Sequence, residues 1–428
     1  MVDGVLSDLQ INDVVHATIR QSVAVAQKLE EQTGEPFIHL EFGIPGLPAC
    51  RYGVEAQIEA LRGGIASVYP NIAGCADLKQ AGSRFVKAFL NLDVAPEGIV
   101  PTVGSMQGSY NLMLEASQLT QGKDTILFIN PGFPVQRQQT RILGIKSEAF
   151  DIYDYRADRL RDKLEEYLQK GNIAAMIYSN PNNPAWICLT EDELRIIGEC
   201  ATKYDAIVIE DLAYMGMDFR QDLGTPGEPP YQATVARYTD NYVLMLSGSK
   251  IFSYAGERIA VMAFSDKLYR REYDELRRRY NIARCGDAFV LTYLYANSSG
   301  TAHSAQIALA AMMNAAVEGR YNFVHETAEY ARRAARTKEI FVRNGFHIVY
   351  DRDMDQPVSD GFFYTVGRHG LTDEQLIKRL LRCGIVAIAL VTTGSNQNGL
   401  RVCVSRINTD SEFEELDRRL QLFNTLTD

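Results

Sequence analysis

The chain has 428 residues, 46% of them hydrophobic and 23% charged, which excludes a disordered polymer and allows two or three domains of about 150 residues. Its 44 basic and 54 acidic side chains leave a formal net charge of -10, which argues against a nucleic-acid binder, whose footprint is basic. No apolar run reaches the roughly 18–20 residues that span a bilayer.

Residues 8–33 read as a helix, with Val15, Ile19, Val23, Ala26 and Leu29 near helical spacing. A short strand over 37–42 follows, then the punctuated loop Gly43-Ile44-Pro45-Gly46-Leu47-Pro48. From about residue 75 to 265, short apolar runs alternate with amphipathic stretches. The runs are 99–103, 125–129, 146–150, 174–179, 206–209, 242–246 and 259–264. Helical patterns cover 77–90, 106–119, 160–169 and 191–203. That alternation predicts an α/β fold, with helices around a mostly parallel, buried sheet. Residues 302–342 read as one long helix, and 372–382 and 411–424 as two more. The expected division is a large domain over 46–300 and a smaller α+β domain from 1–45 and 301–428.

Several chemistries find no motif. There is no phosphate loop of the G-x-x-x-x-G-K-[ST] type and no G-x-S-x-G elbow. His325-Glu326-Thr327-Ala328-Glu329 lacks the second histidine of a zinc-protease helix, so no metal is expected there. The seven cysteines stand singly, without a C-x-x-C pair, and free thiols in a reducing cytoplasm are the expectation. No signal peptide is expected from the opening residues.

Six segments carry potential chemistry, each with a bland alternative. Ser247-Gly248-Ser249-Lys250 follows a strand, where open α/β sheets bind ligands, and Arg258 lies eight residues on. A lysine there can form a Schiff base beside a bound anion; it can also be a surface lysine in a polar turn. Asp211 ends the run 206–209 and its following residue, and a carboxylate at that depth needs a cationic partner or a helix to cap. Asn180-Pro181-Asn182-Asn183-Pro184 is a turn at the same end of the sheet. Gly104-Ser105-Met106-Gln107 opens a helix with small residues, which suits a phosphate. Phe133, within Asn130-Pro131-Gly132-Phe133-Pro134, can stack on a flat ring or fill core. Arg401 sits in an apolar strand and must be paired; a carboxylate is its best match.

Taken in order, these segments resemble the fold-type I pyridoxal-phosphate enzymes, and among them the class I/II aminotransferases. The resemblance runs from about residue 38 to the C-terminus and includes Tyr69 with Gly74. It implies pyridoxal 5'-phosphate as cofactor, bound covalently by Lys250, with Asp211 facing the pyridine nitrogen. Tyr214 and Asn183 would bond the phenolic oxygen, and Phe133 would stack on the ring. Gly104, Ser105, Met106, Ser247, Ser249 and Arg258 would cradle the phosphate. Tyr69 would reach the phosphate of a neighbouring subunit, which implies a homodimer with shared active sites. Arg401 would grip the substrate α-carboxylate, with the backbone at Gly43 closing over it.

The implied activity moves an amino group between an L-amino acid and a 2-oxo acid by ping-pong kinetics. A lyase or decarboxylase on the same fold shares these residues. A cofactor-binding regulator is disfavoured, because only about 40 non-basic residues precede the fold. The chain departs from the family at Asn183-Pro184-Ala185-Trp186, where Thr-Gly usually follows Asn-Pro. Trp186, the only tryptophan, either packs or borders the substrate pocket. Arg51 is a candidate second arginine for a dicarboxylate, or simply exposed.

Overall fold

The computed structural model describes residues 1–426. The first strand, β1 (Ile38–His39), lies outside the main sheet. That sheet contains β2 (Ile99–Val103), β3 (Thr125–Asn130), β4 (Lys146–Asp151), β5 (Ile173–Ser179), β6 (Ile207–Asp211), β7 (Tyr242–Ser247) and β8 (Ile259–Phe264). Their order is β2-β8-β7-β6-β5-β3-β4, parallel except at β8, which opposes both neighbours. All seven predicted strands are present. β3, β5, β6, β7 and β8 are buried along their whole length, as their unbroken apolar runs require of a sheet covered on both faces.

The register builds one chemical edge. Ser179 pairs with Asp211, and Asp211 with Met245, so β5, β6 and β7 end side by side. Because β8 runs the other way, it begins at that edge: Ser247 pairs with Ala260, and Val103 with Ile259. Gly104 and Arg258, each one residue outside its strand, therefore meet beside Ser247.

A smaller α+β unit follows. It contains β9 (His347–Ile348), a hairpin of β10 (Arg352–Asp353) and β11 (Gln356–Pro357), then β12 (Phe363–Gly367), β13 (Ile385–Val386), β14 (Ile388–Ala389) and β15 (Leu400–Cys403). Four of these form an antiparallel sheet in the order β14-β15-β12-β9. β1 pairs in parallel with β13, which fastens the N-terminal segment to this unit. A buried ion network joins the two units: Arg156 holds both Glu193 and Asp353, and Arg220 holds Asp353 from the other side at 2.7 Å. Removing one member would leave an uncompensated buried charge.

Three predicted elements are corrected. The helix over 8–33 is two helices, Val2–Asp8 and Ile19–Thr33. Between them Asp13 accepts the backbone N–H groups of Val15 and His16, and a capping box of Thr18 and Gln21 starts the second helix. The strand over 37–42 shrinks to β1, which pairs with β13; after the Leu40 N–H reaches the Val386 carbonyl, the chain bends at Glu41. The helix over 302–342 is three: His303–Val317, Phe323–Thr327 and Glu329–Arg343. Gly319 takes a left-handed φ of 68°, and Asn322 caps the next helix through the N–H groups of Val324 and His325.

All seven cysteines are free. Among the described residues no helix is long and apolar enough to cross a membrane.

Candidate active site

Lys250 lies in a single helical turn, Gly248–Ile251, directly after β7. Ser247 caps that turn, its Oγ accepting the Ser249 N–H at 3.1 Å. The Lys250 Nζ donates to the Gly43 carbonyl at 2.5 Å and lies 5.4 Å from the centre of the Phe362 ring. Burial pulls its pKa down to about 8, helped by the positive charges of Arg258 and Arg401. An amine near neutrality can act as nucleophile and as base.

Asp211 ends β6 and is buried. Its carboxylate accepts the Ala213 N–H at 3.1 Å and the Gln136 amide at 3.2 Å. Burial pushes its pKa up to about 6, against those two donors and Lys250. Among the described residues no cation comes within ion-pairing distance of it. A buried carboxylate so placed fits a ligand that brings a positive charge.

Tyr214 and Asn183 meet across 3.4 Å, the amide donating to the phenol oxygen. Burial raises the Tyr214 pKa. Asn183 is held from below by the Ser179 hydroxyl, which accepts its backbone N–H at 3.0 Å. Its other amide atom, Oδ1, accepts Arg401 Nη1 at 3.4 Å. Arg401 occupies the middle strand of the smaller sheet, opposite Thr365 and Ile388. It is only 1% exposed, stacks 4.6 Å from the Phe363 ring centre and donates from Nη2 to the Glu41 carbonyl at 2.5 Å. Among the described residues its Nε has no hydrogen-bond partner.

Gly104 and Arg258 come together as the register requires. Gly104 has a φ of 65°, and a Cβ there would stand 2.6 Å from Arg258 Nη2. Only glycine satisfies both constraints. The Ser105 Oγ is buried without a partner, and the Met106 and Ser105 N–H groups open the helix Gly104–Leu119. Arg258, at a left-handed φ of 51°, is exposed and among the described residues bonds only the Ala255 carbonyl, at 2.9 Å. An orphan hydroxyl, a helix N-terminus and an arginine with free donors fit a phosphate.

The remaining predicted residues fall as follows. Phe133 is half-buried at the start of the helix Pro134–Leu143, beyond β3. Gly43 faces Phe363, whose Cζ would lie 2.8 Å from a Cβ there. Tyr69 is not drawn into this site: it is 88% exposed and makes no hydrogen bond to a described residue. Arg51 is exposed and donates to its neighbour Tyr52 at 3.3 Å, with its guanidinium over that ring. Trp186 is wholly buried, edge-on to Tyr214 at 5.4 Å and to Phe363 at 6.2 Å, so it packs behind the site.

Four contributors escape sequence reasoning: Gln136 on Asp211, Glu41 under Arg401, and Phe362 and Phe363 beneath the two cations. Gln136 had a usable signal, three residues past Phe133 in the first turn of a helix. The others approach only through the tertiary fold.

The chain is 23% identical over 392 residues to a probable aspartate aminotransferase of Methanocaldococcus jannaschii, covering 91% of this chain and 93% of that one. It is 26% identical over 234 residues to an S-alkyl-thiohydroximate lyase of Arabidopsis thaliana, covering 54% of this chain and 47% of the other. Its fold is that of a Thermus thermophilus aspartate aminotransferase variant, with a TM-score of 0.76 at 16% identity over 97% of this chain and 98% of that one. An alanine aminotransferase from Pyrococcus furiosus superposes equally, at 0.76 and 18% identity, over 96% and 98% of the two chains. The family model for aminotransferases of class I and II matches residues 36–420, and the chain belongs to that family.

Proposed function

We propose that this chain is a pyridoxal-phosphate-dependent aminotransferase acting on an L-amino acid and a 2-oxo acid, with Lys250 as its central base. The observation that carries this reading is Lys250 and Asp211 at adjacent strand ends, a half-buried amine and a buried carboxylate at the same edge. Family membership implies the cofactor, and the residues fit it. Ser105, Ser247, Ser249 and Arg258 with the Gly104–Met106 backbone would hold the phosphate. Asp211 would keep the ring nitrogen protonated, Tyr214 and Asn183 would bond the phenolic oxygen, and Phe133 would stack on the ring. When bound, the cofactor supplies an electron-withdrawing ring that accepts the charge left at the substrate α-carbon.

The chain's own residues do the rest. Arg401 binds the α-carboxylate with a planar fork of donors, which orients the Cα–H bond. Lys250 Nζ takes the proton from that carbon, its burial having brought it near the working pH. The loop at Gly43 covers the substrate and excludes water. An amino group is taken from one substrate and given to the next, which is ping-pong catalysis.

Residues 46–300 form the cofactor-binding domain in this reading, and residues 1–45 with 301–428 the domain that closes. The functional unit is a homodimer, in the cytoplasm. Val54, Ile58 and Leu61 stand exposed at helical spacing along Arg51–Arg62, with Val68 and Tyr69 exposed just beyond. Such an apolar stripe suits a second copy of the chain, to whose site Tyr69 would reach.

The test is a visible absorption scan of the purified protein before and after single L-amino acids. The lysine-bound cofactor band is expected to bleach as a 2-oxo acid appears, which would also rank the substrates. A persisting band with ammonia or carbon dioxide released would favour a lyase or decarboxylase, a second reading that the Arabidopsis lyase relative supports. No band after cofactor addition would remove the assignment.

The cradle gives a separate expectation. Gly104→Ala forces a side chain against Arg258 at a φ that costs about 1–2 kcal/mol. Cofactor affinity, followed by absorbance titration, should fall at least about tenfold while the far-ultraviolet spectrum is kept. Unchanged affinity would place the phosphate elsewhere.

A further inference from the structure

Glu41 is a buried carboxylate to which no step above gives work. It is 0% exposed, and its own carbonyl oxygen is the acceptor of Arg401 Nη2. Its Oε1 lies 2.8 Å from His39 Nδ1, and its Oε2 has no partner. His39 and Glu41 are two residues apart on an extended segment, so their side chains share a face. His39 Nε2 in turn lies 3.4 Å from Glu30 Oε1, on the helix Ile19–Thr33. The imidazole edge borders a surface cavity of about 350 Å³ that also holds Arg406, Glu412, Glu415 and Arg419. His39 thus links the surface to the Glu41 carboxylate, and the main-chain carbonyl of the same residue holds Arg401.

The charges decide what this line does. Arg401 is wholly buried and bonds only a main-chain carbonyl and an amide oxygen, so burial works against its charge. Glu41 acts in the other direction, its negative charge favouring the guanidinium. A substrate carboxylate arriving at Arg401 meets that negative charge as repulsion, little screened in the interior. A proton on His39 offsets it.

We propose that His39 and Glu41 form a proton-sensitive anchor for the carboxylate-binding arginine: Glu41 is the buried counter-charge of Arg401, and protonated His39 relieves it, so that a carboxylate ligand binds more tightly below the His39 titration than above it. This rests on Arg401 gripping the substrate carboxylate. His39 is positioning machinery, not a group that touches substrate. Its two carboxylate neighbours agree with the switch: the Glu41 hydrogen bond foremost, with Glu30, raises its pKa, while burial and Arg406 oppose. The cavity also carries Glu412, Glu415 and Arg419, of which Glu415 and Arg419 pair with each other at 2.6 Å.

The experiment is calorimetric titration of the cofactor-loaded protein with two non-reacting acids, succinate and 3-phenylpropanoate, from pH 6 to pH 9. The better-binding acid should lose about fivefold more affinity over that range in wild type than in His39→Gln. His39→Gln should sit flat at the weaker, high-pH level. Glu41→Gln keeps an acceptor for His39 but loses the charge, and should sit flat at the tighter level. Opposite plateaus with a shared loss of slope are not what simple packing damage produces. A wild-type slope retained in either variant would overturn the anchor. Arg401→Lys separates the two readings: affinity unchanged there defeats Arg401 as the carboxylate site, while affinity lost there with the slope kept in His39→Gln defeats the anchor alone.

Discussion

Replacing Lys250 with alanine should abolish transamination without unfolding the protein. The lysine's pKa falls from 10.5 in the open chain to about 8 in the folded one. A base whose folded pKa is depressed costs stability at every pH below the folded value, and that cost fades as pH rises from about 8 toward the unfolded value. The alanine variant escapes this cost at neutral pH. It loses one hydrogen bond to the Gly43 carbonyl, a group on a loop that water can reach. The melting temperature of the cofactor-free protein should therefore hold or rise. Turnover should fall by at least about 10³-fold, because in the proposed reaction the same amine serves as covalent anchor and as base. Borohydride reduction followed by mass spectrometry should fix the cofactor to the wild-type chain and leave the variant unmodified. Turnover within about tenfold of wild type would mean that another group moves the proton.

Most of the sheet was readable because its inner strands are largely apolar runs between turns; the edge strand β4, Lys-Ser-Glu-Ala-Phe-Asp, is not one. Burial on both faces demands such runs, and they leave little room for a second interpretation. Lys250, Asp211 and Asn183 were readable for a related reason: each follows a strand end, and parallel strands deliver their ends to one edge. The breaks in the N-terminal and the 302–342 helices were hidden, because apolar spacing continues across them. What interrupts them is side-chain capping by Thr18 and Asn322. Glu41 was invisible for a different reason. Its meeting with Arg401 spans 360 residues of sequence, and it is brought about by the pairing of β1 with β13 and by the Cys403 N–H, which donates to the Leu40 carbonyl. Trp186 was ambiguous until Gly361 was seen against its indole, where a Cβ would lie 2.1 Å from Nε1. The ring fills a slot shaped for it, so the departure from the usual Thr-Gly is a packing substitution.

Arg401→Ala should separate recognition from chemistry. The guanidinium is held on three sides: by the Glu41 carbonyl, the Asn183 amide oxygen and the Phe363 ring. None of these is a carboxylate in direct contact, so the fork retains donors for an incoming acid, Nε among them. Truncating one partner of a buried, hydrogen-bonded charge pair costs about 2–5 kcal/mol. The amino-acid KM should rise about 10²–10³-fold on that basis, with a smaller change in kcat. Lys250 and Asp211 stand on the other unit and are not displaced by the change. Arg401→Lys keeps the charge without the planar fork and should fall between wild type and alanine. The sharper measurement compares an amino acid with the amine that lacks its carboxylate. Wild type should favour the amino acid strongly, and the alanine variant should lose most of that preference, since the Gly43 backbone that would close over the carboxylate brings no compensating charge. A preference that survives the substitution would make Arg401 a structural cation of β15 and move carboxylate binding to another residue.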